Sequence, residues 1–103
     1  MSIIYLIECR RDYETLYKIG FSKHPNKRID NLQTGNDGEL KLIDKFESVH
    51  IQQVERTLQR LFLHKKINRE WFRLDLEDVQ NFRSICQKIE NNLNLISQNE
   101  KLI

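Results

Sequence analysis

Two runs rich in β-branched and aromatic residues, IIYLIEC at 3–9 and LYKIGF at 16–21, are separated only by the polar stretch RRDYET. Neither run contains a proline, and so short a link leaves no room for a crossover helix. The pair therefore predicts an antiparallel β-hairpin, on which the rest of the chain must pack. Alternation puts Tyr5 on the same face of the first strand as Ile3 and Ile7. Lys18 stands between Tyr17 and Ile19 on the second. Gly20 gives that strand no side chain to pack, and it predicts close approach of another group to the backbone.

The remaining elements follow from periodicity and punctuation. Ser22 as N-cap and Pro25 in the first turn predict a helix to about Gln33. Ile29 and Leu32 face its core side, and Arg28 lies beside that face. TGNDG at 34–38 ends the helix and turns the chain. ELKLIDKFES at 39–48 predicts a third strand with an irregularity near Ile43. Ser48 then caps a helix over 49–65 with an apolar stripe of Ile51, Val54, Leu58, Leu61 and Phe62. Glu55 sits at the edge of that stripe. NREWFRL predicts a short extended segment with Trp71 against the sheet. DLED at 75–78 starts a last helix to about Ser97, with Val79, Phe82, Ile85 or Cys86, Ile89, Leu93 and Ile96 inward. SQNEKLI is expected to fray.

The expected fold is α+β, a central three-stranded antiparallel sheet flanked by helices in the order β-β-α-β-α, plus a C-terminal helix. At 103 residues the chain has the size of one domain. Within it, residues 1–74 form the expected core, and 75–103 a helix packed on the core or used for association.

The net charge of +2 is too small for a protein that coats nucleic acid by bulk charge. Its distribution is more informative. Arg56, Arg60, Lys65, Lys66, Arg69 and Arg73 are interrupted by a single acid, Glu70. A second group, Lys23, His24 and Lys27, borders the turn into the first helix. Such patches suit transient contact with a polyanion. Cys9 and Cys86 match no metal-ligand spacing and predict free thiols in a reducing compartment. No secretory leader is visible, and no stretch approaches the roughly 20 apolar residues of a membrane span. The expectation is an intracellular protein, in the cytoplasm or a nucleus, with no membrane partner.

A tyrosine, cations and one carboxylate converging at a sheet edge suit phosphodiester cleavage. That chemistry needs an activated water, positive charge on the phosphate and an oxygen ligand for a divalent ion. The residues fall in an order that resembles the GIY-YIG endonuclease superfamily, in its small branch from phages, viruses and bacterial genomes. IIYLIEC is similar to the first, tyrosine-bearing strand. YKIGFSKHPNKRIDNLQTGN is similar to the second strand, turn and first helix, VERTLQRLF to the glutamate-bearing helix, and REWFRL to a Gly-Glu-Trp-Phe segment.

The resemblance spans roughly residues 3–74. It implies Tyr5 orienting or deprotonating the attacking water, Arg28 on the scissile phosphate, and Glu55 as ligand to one Mg²⁺ or Mn²⁺. It also implies 5′-phosphate and 3′-hydroxyl products. The sequence departs from the pattern at Ile3 in place of the first Gly, Lys18 in place of the second tyrosine, Gln59 in place of a frequent His, and Arg69 in place of a Gly. Lys18 is counted with Tyr5, Arg28 and Glu55 as a catalytic candidate. Its charge could act on the phosphate or on Tyr5.

Candidate nucleic-acid contacts are Lys23, His24, Lys27, Arg56, Arg60, Lys65, Lys66 and Arg69. The expected function is a metal-dependent DNA endonuclease of loose sequence specificity or structure selectivity, with RNA as a further substrate class. A homodimer or a partner protein could supply specificity. The alternatives are a non-catalytic nucleic-acid-binding module and a protein-interaction domain that uses the last helix.

Overall fold

A computed structural model of the chain describes residues 2–35 and 38–102. The strands are β1 (Ile3–Arg10), β2 (Thr15–Ser22), β3 (Glu39–Glu47), β4 (Lys66–Asn68) and β5 (Trp71–Phe72). The helices are α1 (Pro25–Gln33), α2 (Ile51–Leu61), α3 (Leu76–Gln80) and α4 (Phe82–Leu102), with a 3₁₀ turn at Leu63–Lys65. The β1–β2 hairpin pairs antiparallel along its whole length, from Ile3 with Ser22 to Arg10 with Thr15. β3 flanks β1 on the other side, also antiparallel. Ile7 pairs with Leu42 while Leu6 pairs with Asp44, which makes Ile43 the extra residue at the expected irregularity.

The sheet has five strands in the order β3-β1-β2-β5-β4, which corrects the expected three. The two additional strands come from the segment around Trp71. β5 is two residues long, and β4 is exposed throughout. Neither carries a period-2 pattern. They become strands because Tyr17 and Lys18 offer them an edge to pair with.

β1 explains why the first run is apolar without alternation, since the sheet is covered on both faces. Ile4, Leu6, Ile19 and Phe72 pack with Val54 and Leu58 of α2 and with Phe82 and Cys86 of α4. Tyr5, Ile7, Cys9 and Leu40 pack on the other face, where Ile29 and Leu32 of α1 cover them. Both cysteines are buried free thiols. Burial pushes the Cys86 thiol up to about 12, so it stays protonated.

Several helix boundaries differ from expectation. Ser22 and Ser48 are not the N-caps. His24 and His50 are, and in each case the serine Oγ accepts the histidine's backbone N–H from two residues upstream, at 3.0 Å. The second helix ends at Leu61, and Leu61 itself is exposed. The last helix divides at Asn81, whose backbone N–H turns back to Glu77. Asn favours such caps because its short polar side chain competes for backbone partners. The Asp75–Asp78 capping box starts α3 as the acidic first turn predicted. α4 continues through the segment expected to fray as far as Leu102. Asn36 and Asp37 of the TGNDG turn, and Ile103, lie outside the described residues. No helix among the described residues is long and apolar enough to cross a membrane.

A buried carboxylate ties α4 to the rest. Glu90 accepts from Ser48 Oγ at 2.8 Å and from the Val49 backbone N–H at 3.1 Å, just ahead of α2. Next to it the His50 ring meets Asn94 Oδ1 at 2.8 Å. Glu90→Ala strands these donors, and we expect a loss of about 1–3 kcal/mol in chemical denaturation. Glu90→Gln keeps one acceptor and should lose less. A midpoint unchanged in both variants would contradict this role.

Candidate active site at the open end of the second strand

β5 pairs only with Tyr17 and Lys18, so the edge of β2 is open from Ile19 onward. α2 reaches this stretch. Gln59 Nε2 donates to the Ile19 carbonyl at 3.0 Å. A cleft of about 460 Å³ opens here, lined by Glu55, Arg56, Gln59, Arg60 and Leu63, and by Lys66 and Glu70 from the β4–β5 hairpin.

Lys18 lies at the centre of this arrangement. It is 4% exposed, unusual for a lysine. Its Nζ makes an ion pair with Glu70 and lies 5.8 Å from the centre of the Trp71 ring. Burial pushes the ammonium below the ordinary lysine range. Arg28 pushes it further, and Glu55 acts against both. Contact with the Glu70 carboxylate works in the same direction as Glu55. Lys18 therefore senses a cation from α1 and a carboxylate from α2, two of the residues expected at one site. Glu55 is half-buried, and burial raises its carboxyl above the usual range, with Arg56 and Lys18 opposing.

Tyr5 shares the sheet face of Lys18. It pairs with Gly20, two residues along β2 from Lys18. The close approach predicted at Gly20 is made by this tyrosine: a Cβ there would meet Tyr5 Oη at 2.5 Å and Cζ at 2.7 Å. The Tyr5 ring is buried. Its hydroxyl has no hydrogen-bond partner among the described residues, yet no fully buried polar side-chain atom there is left unpaired. The little surface Tyr5 retains therefore includes its hydroxyl. Tyr17 packs on the opposite face, and its hydroxyl donates to Glu8 at 3.4 Å. It does not share the face of Tyr5 and Lys18.

The basic candidates divide. Arg56, Arg60 and Lys66 line the cleft, and Lys66 also lies over the Phe72 ring. Lys23, His24, Lys27 and Arg28 are exposed at the β2–α1 turn and the start of α1. Arg69 is exposed at the hairpin turn with φ of 42°, a left-handed conformation that costs a non-glycine residue about 1–2 kcal/mol. Lys65 is engaged elsewhere: Asp75 at 3.1 Å and Asp78 at 2.5 Å hold its ammonium at the capping box of α3. Glu70 was not among the candidates, although one signal marked it as the single acid in the basic stretch.

The family model of the T5orf172 domain matches residues 2–90. The chain belongs to the T5orf172 domain family. T5orf172 domains are nuclease-related modules with a GIY-YIG-like fold. The match runs past β5 and α3 into α4, as far as the Glu90 that closes the core. No curated protein and no solved structure matches the chain.

Two measurements probe this geometry. In ¹³C NMR, with Lys18→Met assigning the resonance, Lys18 should titrate below 10.5, its ordinary value. The folded state then carries the cost of the buried ammonium at neutral pH. That cost is relieved as pH rises from the folded value toward 10.5. A midpoint at or above 10.5 would refute the burial argument. Separately, Gly20→Ala should cost about 1–3 kcal/mol by overpacking against Tyr5, an effect that Tyr5→Phe should leave and Tyr5→Ala should relieve.

Proposed function

We propose that this T5orf172 domain is a divalent-metal-dependent endonuclease that cleaves phosphodiester bonds in DNA, with loose sequence specificity or structure selectivity. The observation that carries this reading is the buried Lys18, electrostatically coupled to Arg28 of α1 and Glu55 of α2, on the face that holds Tyr5. Family membership supports the same chemistry.

In this reading Arg28 holds the scissile phosphate and, with Lys18, balances charge that builds on it in the transition state. The Tyr5 hydroxyl, fixed over Gly20, orients or deprotonates the attacking water. Among the described residues there is no group of three or more His, Cys, Asp or Glu that could hold a metal ion by itself. Of the two carboxylates on the open cleft, Glu70 is paired with Lys18, which leaves the half-buried Glu55 as the available donor. That fits a hard ion such as Mg²⁺ or Mn²⁺, which keeps several waters and takes other ligands from phosphate. When bound, such an ion supplies Lewis-acid stabilisation of the phosphate and the leaving oxygen.

Arg56, Arg60 and Lys66 line the same cleft and suit the backbone of the nucleic acid. Phosphate contacts fix position and carry no sequence information. So small a site therefore favours selection by nucleic-acid shape, or by a second copy or partner protein.

The deciding assay is cleavage of duplex, nicked and branched DNA, and of RNA, with Mg²⁺ or Mn²⁺. Glu55→Ala and Arg28→Ala should each lose about 10²–10³-fold in rate, the size expected for removing a transition-state stabiliser, with melting curves unchanged. If wild-type protein cuts none of these substrates, or both variants cut as well as it does, the enzyme reading is wrong.

A further inference from the structure

The Lys18–Glu70 ion pair sets an exposed partner against a buried one. The Lys18 side chain is 5% exposed and that of Glu70 57%. Glu70 sits beside Arg69 in the turn between β4 and β5, and its carboxylate has no other partner among the described residues. It also lines the cleft that holds Glu55, Arg56, Arg60 and Lys66. The one acid of the basic stretch is thus directed at the most deeply buried cation of the site.

We propose that the Glu70 carboxylate occupies the position of a backbone phosphate, so that it closes the anion site of Lys18 in the free protein and is displaced from it when nucleic acid binds. This rests on the nucleic-acid reading above and adds a regulated anion subsite to it.

An ammonium as buried as that of Lys18 is costly without a counter-anion in contact. Glu55 attracts it, but Arg28 repels it, so neither cancels its charge. A carboxylate and a phosphodiester each carry one negative charge and present oxygens to the ammonium. Exchanging one for the other keeps Lys18 compensated throughout. The displaced carboxylate goes to water, and the Glu70 side chain is already more than half exposed. The hairpin that carries it is short, largely exposed and turned through the strained Arg69, so little packing opposes the exchange. Binding also brings phosphates to Arg56, Arg60 and Lys66 along the same cleft, and Glu70 is then a like charge beside the substrate.

Trp71 reports on the exchange. It is the sole tryptophan of the chain, and the Lys18 ammonium lies over its ring. The experiment measures Kd for a labelled DNA duplex and a labelled branched DNA in EDTA, where cleavage is absent, alongside Trp71 fluorescence. Glu70→Gln should bind about tenfold more tightly than wild type, because its site no longer has to be vacated. Glu70→Asp, which keeps the charge but draws it back from Lys18, should change in the same direction, and it keeps the test open should the glutamine variant unfold. On Lys18→Met the Glu70→Gln change should tighten binding much less, because only the like-charge repulsion within the cleft is then relieved. Wild type should show a Trp71 fluorescence change on binding that Glu70→Gln largely shows before DNA is added.

If wild type binds DNA and both Glu70 variants bind equally or more weakly with native melting curves, the inference is overturned while the nucleic-acid reading stands. If neither wild type nor the variants bind either DNA, both fail together.

Discussion

The Lys18 ammonium is the constraint from which the site is built. A lysine only 4% exposed must be compensated by what surrounds it. The elements that do so come from distant parts of the chain. Glu70 comes from the β4–β5 hairpin and Glu55 from α2, while α1 brings the opposing Arg28. Each would be a surface side chain if its element stood alone. The five-stranded sheet and its covering helices bring Glu55 and Glu70 to one cleft beside the end of the β2–β5 pairing, where Glu70 meets Lys18. The Trp71 ring closes the remaining side of the ammonium and joins the apolar cluster that holds Tyr5. Site and core therefore meet at one residue, and changes in Lys18 act on both.

A second constraint works through absence of a side chain. Gly20 leaves room for Tyr5 directly across the β1–β2 pair, and its position in register fixes where the tyrosine hydroxyl emerges. One step along β2, Tyr17 and Ile19 turn to the opposite face, toward α2 and α4. Because strand side chains alternate, substitution by a neighbour is not available. Lys18 therefore shares the face of Tyr5 and places a cation there, which neither neighbour on β2 could supply.

Much of this was legible in the sequence, for identifiable reasons. The β1–β2 hairpin, the extra residue at Ile43 and the α1 face carried strong local signals: short links, alternation, and a proline at the first turn. Gly20 announced a close approach without naming the group that makes it. The extended segment at Trp71 was legible, but its pairing as the β4–β5 hairpin was not, since two- and three-residue strands have no period to detect and exist only through pairing with β2 and with each other. The Lys18–Glu70 pair was hidden for a related reason, because it joins residues 52 apart across that same unforeseen hairpin. Lys65 looked free in sequence because its partners, Asp75 and Asp78, read only as a helix start.

The C-terminal segment shows how such a small sheet is made stable enough to hold a strained, charged site. Phe82 and Cys86 of α4 bury against Ile4 and Leu6 of β1, and Glu90 satisfies the donors that lead into α2. α2 in turn carries Glu55 and Gln59 to the open edge of β2. The helix furthest in sequence from the candidate site thus anchors the element that carries Glu55. The extension of the family match through residue 90 ends at that buried contact. Residues 75–90 consequently belong with the structural support of the site. Beyond them, Leu95 and Ile96 of α4 face solvent.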